Sequence, residues 1–87
     1  MSPSARRIGK SVHSSEQLVL RELLIAARDR AGLTQQKLAR RLGKPQSFVA
    51  KYEGGERRLD VIEFIVIVRA IGTDPVRILR ALLGKIA

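Results

Sequence analysis

The 87-residue chain has no cysteine and no tryptophan, and only one tyrosine, two phenylalanines and one histidine. Without cysteine, disulfides and the common cysteine-based zinc arrangements are excluded, and the composition is compatible with a reducing compartment. Aromatics make up 3% of the residues against 45% hydrophobic overall, so the core must be aliphatic, which suits packed helices. The lone His13 stands in a polar N-terminal stretch and reads as a solvated tail residue. No paired carboxylates, catalytic histidine, nucleophile elbow or phosphate loop is present, so no enzyme, cofactor or metal is expected. The most apolar run, Val61 to Ile71, is broken by Glu63 and Arg69 and is too short to span a bilayer. The basic start runs into SVHSSEQ rather than an apolar leader segment. The chain is therefore expected to be soluble, cytoplasmic and free of membrane contact.

Negative charge is also scarce. Seventeen Lys and Arg face eight Asp and Glu, a formal net charge of +9. Its location says more than its size. Arg6, Arg7 and Lys10 put +3 in residues 1–14, and residues 15–33 sum to zero. Residues 34–58 carry +5, from Lys37, Arg40, Arg41, Lys44, Lys51, Arg57 and Arg58 less Glu53 and Glu56, and residues 59–87 add +1. More than half of the excess thus falls in one short segment, as a surface facing a polyanion requires.

Apolar periodicity and punctuation divide the chain. Residues 1–14 read as a flexible basic arm, and 15–87 as one domain. A first helix starts with Ser14 or Ser15 as cap, runs through Leu20, Leu23, Leu24 and Ala27, and stops at Gly32. Thr34 caps a second helix reaching Leu42. Gly43 suits a positive-φ turn, and Pro45 the first turn of a third helix, 45–53, that ends at Gly54-Gly55. In residues 59–71 the β-branched content alone would allow a strand, but Val61, Phe64, Ile67, Val68 and Ile71 share one side of a helix. Asp60 and Gly72 bound it, and a lone strand would have nothing to pair with. A fifth helix starts near Asp74-Pro75 and is expected to bury Val76, Leu79 and Leu83. The fold class is all-α, a compact five-helix domain.

Residues 33–54, LTQQKLARRLGKPQSFVAKYEG, form two short helices around a tight turn. Leu38, Ala39, Leu42, Val49 and Tyr52 point inward, and Gln35, Gln46, Ser47 and Lys51 point outward. That division lets one face of the third helix anchor it while the other enters a DNA major groove. Gln46, Ser47, Ala50 and Lys51 are the candidate base contacts. Glutamine can pair with adenine N6/N7, serine with several base edges, lysine with guanine or phosphate, and the alanine methyl with thymine. Arg57 and Arg58, just past the helix, are candidate phosphate contacts. Phe48 lies at the boundary between packing and groove contact.

The series Leu-Thr-Gln-x-x-Leu-Ala-x-x-Leu-Gly, then x-x-Gln-Ser-x-Val-x-x-Tyr-Glu-x-Gly, resembles the lambda-repressor-like, or Xre-type, helix-turn-helix domain. The resemblance extends from about Leu20 to Leu83 and is densest from Leu33 to Leu59. It implies a five-helix domain that binds operator DNA, usually as a dimer on inverted half-sites. Gln35 matches a phosphate-contacting glutamine that also braces Gln46, while Gln46, Ser47 and Lys51 match base-reading positions. Thr34 and the backbone around Gly54 match phosphate contacts. Arg28 and Glu53 match an ion pair tying the first helix to the third. Pro45 departs from the commoner Ser or Thr cap, and Lys44 with the backbone amides at the helix start stands in for that phosphate contact. Arg6, Arg7 and Lys10 are expected to lie along the DNA.

Two apolar excesses remain. Ile62, Ile65 and Val66 lie on a second side of the fourth helix, and Ile78, Leu82 and Ile86 exceed what the fifth helix needs as an anchor. Together they suggest a homodimer interface. The leading functional expectation is a transcriptional regulator, a repressor, acting on double-stranded DNA and associated with the nucleoid. The alternatives are an antitoxin that binds both DNA and a toxin, and a protein- or RNA-binding adaptor on the same fold.

Overall fold

The computed structural model describes residues 14–86 and places them in five helices. These are α1 (Ser15–Arg30), α2 (Gln35–Leu42), α3 (Gln46–Glu53), α4 (Val61–Ile71) and α5 (Pro75–Ile86), with no strand among the described residues. The expected all-α, five-helix architecture is present. The residues proposed as a basic arm, Arg6, Arg7 and Lys10 among them, lie outside the described residues.

Each boundary follows from a cap. The Ser14 hydroxyl accepts from the Gln17 amide at the start of α1, and the Thr34 hydroxyl accepts from the Lys37 amide at the start of α2. Asp60 and Glu63 form a reciprocal capping box on α4, the Asp60 carboxylate taking the Glu63 amide at 2.7 Å and the Glu63 carboxylate the Asp60 amide at 3.0 Å. Such caps satisfy amides that the helix itself leaves open. Pro45 occupies the N-cap of α3 and supplies no side-chain hydrogen bond, so α3 begins one residue later than expected. Gly43 has φ of 65°, which lets the Lys44 amide turn back to the Ala39 carbonyl at 3.0 Å. A side chain there would be strained, so this glycine fixes the sharp angle between α2 and α3.

α2 packs chiefly on α3, and α1 on α5, while α4 lies against α2, α5 and α1. The core at their junction contains Leu24, Leu38, Val49, Tyr52, Ile67 and Val68, all essentially inaccessible. Leu38, Ala39, Val49 and Tyr52 thus anchor the two-helix segment as expected, and Leu42 packs half-buried against the same cluster. The Tyr52 hydroxyl is buried with no hydrogen-bond partner among the described residues, and burial pushes its pKa up.

Two helices differ from the expected phase. On α4, Phe64, Ile67, Val68 and Ile71 are buried, but Val61 is 72% exposed. Val61 is the first helical residue, and its side chain leans toward the N-terminus, past the end of the packed stripe. On α5 the two apolar stripes exchange roles. Ile78 is 7% exposed and belongs to the core, with Leu82 and Ile86 half-buried, whereas Val76, Leu79 and Leu83 face outward. The apolar arc of α5 covers nearly half the helix, so periodicity locates the arc but not which edge of it is buried. Packing on α1 and α4 takes the Ile78 edge.

Candidate nucleic-acid interface

The N-terminus of α2, the exposed face of α3 and the loop from 54 to 60 make one basic surface. Gln46, Ser47, Ala50 and Lys51 are all exposed on α3, opposite the buried Val49 and Tyr52. The candidate base-reading residues therefore share a free face. Thr34, Lys44, Gly54, Arg57 and Arg58 are exposed around it, and Gln35 is half-buried.

A hydrogen-bond series connects α1 to that face. Arg28 donates from Nε to Glu53 Oε2 at 2.7 Å and from Nη2 to Oε1 at 3.0 Å, a bidentate pair. Its third nitrogen donates to the Leu33 carbonyl at 2.8 Å. The side chains are well covered, 12% exposed for Arg28 and 4% for Glu53. The hydrogen bond that Arg28 donates to Glu53 is the main cause that raises the Arg28 pKa. The ion pair implied by the resemblance is thus in place, and its role is to hold α1, α3 and the α1–α2 turn together. Gln35 Nε2 also donates to Glu53 Oε1, at 2.8 Å, and Gln46 Nε2 donates to Gln35 Oε1 at 3.4 Å.

The chemistry of this series fixes the direction of each amide. A carboxylate only accepts, so Gln35 must present its nitrogen to Glu53 and its oxygen to Gln46. Gln46 in turn must present its nitrogen to Gln35. Its oxygen and its second N–H have no partner among the described residues, and Gln46 is exposed on α3.

Some of the basic residues are tied to the domain itself. Arg41 donates to the Ala70 carbonyl at 2.9 Å and so ties α2 to the end of α4. The Arg57 guanidinium lies over the Phe48 ring, 4.9 Å from its centre, and pairs with Glu63 at 2.6 and 3.0 Å. That pairing raises the Arg57 pKa and holds the Glu63 carboxyl below the usual carboxylate range, the Asp60 amide adding to the effect. Phe48 is half-buried and meets Tyr52 edge-to-face at 5.7 Å, so at its boundary position packing takes most of the ring. Lys44 Nζ is 5.7 Å from the centre of the same ring. Charge counting did not separate Arg41 and Arg57 from the other cations. The only sequence signal for Arg57 was Glu63 at the third position of a capped helix.

Gly55 adds a contact that the sequence did not suggest. Its φ is 81°, and a Cβ at this position would lie 2.9 Å from the Arg21 guanidinium carbon. The Arg21 guanidinium, reaching from α1, thus lies close over the backbone at Gly55.

The dimer patch expected from sequence is only partly available. Ile62 and Val66 are exposed on α4, at 69% and 52%, but Ile65 packs against the core. Ile78 is buried, and Leu82 and Ile86 are half-buried against neighbouring helices, so these three do not form an outward face. The exposed apolar side of α5 is Val76, Leu79 and Leu83.

Comparison with known proteins agrees with this geometry. The Helix-turn-helix family model (HTH_3) matches residues 24–78, and an XRE-family like protein from Pseudomonas syringae pv. tomato str. DC3000 superimposes with a TM-score of 0.81. That structure is 51% identical in sequence, over 87% of this chain and 93% of its own. The chain belongs to the XRE family of helix-turn-helix proteins. This is a family of DNA-binding transcription regulators. No curated protein matches the chain. In this XRE-family chain the matched region begins at Leu24 and ends at Ile78, two core residues that bracket the whole two-helix segment. No group of His, Cys, Asp and Glu able to hold a metal ion occurs among the described residues. No helix among them is long and apolar enough to cross a membrane.

Proposed function

We propose that this chain is a sequence-specific double-stranded DNA-binding repressor that lays α3 in the major groove. The observation that carries the reading is the directed series Arg28–Glu53–Gln35–Gln46. The ion pair that braces α1 and α3 also holds the Glu53 carboxylate where, through Gln35, it orients one exposed amide. An outward pair of one acceptor and one donor complements adenine, whose N6 donates and N7 accepts. Ser47, Ala50 and Lys51 read neighbouring positions. Thr34, Gln35, Lys44, the amides near Gly54, and Arg58 contact phosphates, and Arg57 joins them by sharing its guanidinium with Glu63. Arg6, Arg7 and Lys10 follow the duplex from the domain's N-terminal side.

The repressor acts as a two-fold dimer in the cytoplasm, at the nucleoid. Ile62 and Val66 with Val76, Leu79 and Leu83 supply the apolar face for the second copy. A dimer places two recognition helices about one helical turn of DNA apart, which lets each weakly bound half-site reinforce the other. Occupancy of DNA then blocks polymerase.

The test is enrichment of bound duplexes from a random pool, followed by affinity measurement on the enriched sequence and on scrambled DNA at physiological salt. A specific regulator binds its selected sequence at least a thousandfold more tightly than scrambled DNA, on the order of the ratios seen for such proteins. Equal affinity for both, or preference for an RNA competitor, contradicts the reading.

A further inference from the structure

One corner of the domain is left unfilled by its own side chains. Where the C-terminal half of α1 meets the α4–α5 turn and the inner edge of α5, a hollow of about 280 Å³ opens to the surface. Its size comes from sequence: Ala27, Ala31 and Ala81 place only methyl groups where larger side chains would close the gap. The floor includes Ile71 and Ile78, both members of the core. At the mouth stand Arg30 and Arg77, with the Thr73 hydroxyl between the helices that carry them.

We propose that this hollow binds a small amphipathic monocarboxylate, with one carboxylate on a short aliphatic or single-ring body. Small-molecule sites span about 300–1,000 Å³, so the hollow suits a compact ligand. A partner helix, about 10 Å across, is too wide for it. DNA is a poor occupant, because no residue of α2, α3 or the 54–60 loop contributes to the lining.

The charges around the hollow select an anion. No acidic side chain lines the hollow, and the Arg30 and Arg77 side chains make no hydrogen bond or ion pair within the described structure. The acids nearest in sequence are engaged elsewhere: Asp29 pairs with Arg28 at 3.3 Å, and Asp74 takes the Val76 amide at 3.0 Å. Carbonyls at the ends of α1 and α4 would oppose an anion, but several are already capped. Arg28 and Asp29 oxygens accept from Leu33 and Gly32, and the Val68 oxygen accepts from Gly72 and Thr73. Two planar guanidinium forks above an apolar floor match a carboxylate head and a hydrocarbon body, since each fork can donate paired hydrogen bonds.

The experiment titrates the full 87-residue chain with octanoate and follows methyl signals by NMR. Saturable shifts confined to the methyls that line the hollow, those of Ala27, Ala31, Ile71, Ile78 and Ala81 among them, are expected. Acetate supplies the head alone, octan-1-ol the tail alone, and inorganic phosphate a bare anion; each should bind at least tenfold more weakly. Arg30→Gln combined with Arg77→Gln should weaken octanoate at least tenfold and leave the melting curve in place, because both side chains are exposed. Shifts that never saturate, octanol matching octanoate, phosphate matching octanoate, or a double variant that binds as well as wild type would each overturn the proposal. The ligand comparisons use the wild-type chain, so they decide the matter even where a variant loses stability.

Discussion

Gln35 donates its amide hydrogen to Glu53 at 2.8 Å and offers its carbonyl oxygen to Gln46 at 3.4 Å, so a carboxylate beneath the surface sets which atoms Gln46 shows to solvent. Gln35→Ala removes this direction without touching the core. Preference for adenine at the position read by Gln46 should fall by about 1–3 kcal/mol, the worth of one good base contact, while the melting temperature stays near wild type. Affinities for duplexes with each base substituted at that position measure it. A preference that survives Gln35→Ala intact means the series does not steer recognition.

The Arg28–Glu53 pair is largely shielded from water and braces three segments. Removing either partner alone strands the other, and such losses run to about 3–5 kcal/mol. Arg28→Met with Glu53→Leu should cost clearly less than the sum of the single changes. Denaturant unfolding of the four proteins in a double-mutant cycle gives the coupling. Strict additivity would mean that the two side chains do not act as a unit.

Arg57 and Glu63 give a pH dependence whose sign is fixed. The Glu63 carboxyl is held below its ordinary range, mainly by Arg57, so it binds protons less readily in the folded state. Its contribution is complete above the unfolded value of about 4.3 and is lost as pH falls through the lower folded value. Glu63→Gln should therefore show a shallower loss of stability below about pH 4.3 than wild type does. Thermal melts from pH 7 to pH 2.5 compare the two slopes. Parallel curves would exclude the pair as a source of acid sensitivity.

The apolar face proposed for a second copy lies on a different side of α5 from the one expected from sequence. Because Val76, Leu79 and Leu83 form the outward side of α5, the informative variant is Ile62→Glu with Leu83→Glu. Both positions are exposed, so the variant should fold normally, sediment as a monomer and bind a palindromic site much more weakly. Wild-type protein that sediments as a monomer at micromolar concentration, and holds one half-site as tightly as two, rules the dimer out.

Legibility in the sequence followed local uniqueness. Thr34, Gly43, Leu38, Val49 and Tyr52 could be placed because caps, turns and a narrow apolar stripe admit a single arrangement. Arg28 and Glu53, 25 residues apart, came only through family resemblance. Where several arrangements satisfy the same pattern, tertiary packing decided. On α5 both Val76-Leu79-Leu83 and Ile78-Leu82-Ile86 have helical spacing, and only the approach of α1 and α4 selects the second. The basic cluster likewise hid internal ties, Arg41 to Ala70 and Arg57 to Glu63 among them, because net charge does not say where a guanidinium points. The polarity of Gln46 was hidden for the same reason, since it depends on an acceptor two residues removed in the hydrogen-bond series.

The most direct measurement is a base-resolved comparison of wild type and Gln46→Ala on the selected duplex, across a salt series, with Arg58→Ala as control. Gln46→Ala should flatten preference at one position per half-site and leave the salt slope unchanged. Arg58→Ala should weaken every sequence alike and lower the slope by about one ion. If Gln46→Ala keeps the wild-type preference at every position, α3 does not read the major groove, and the account of this chain as a sequence-specific repressor is contradicted.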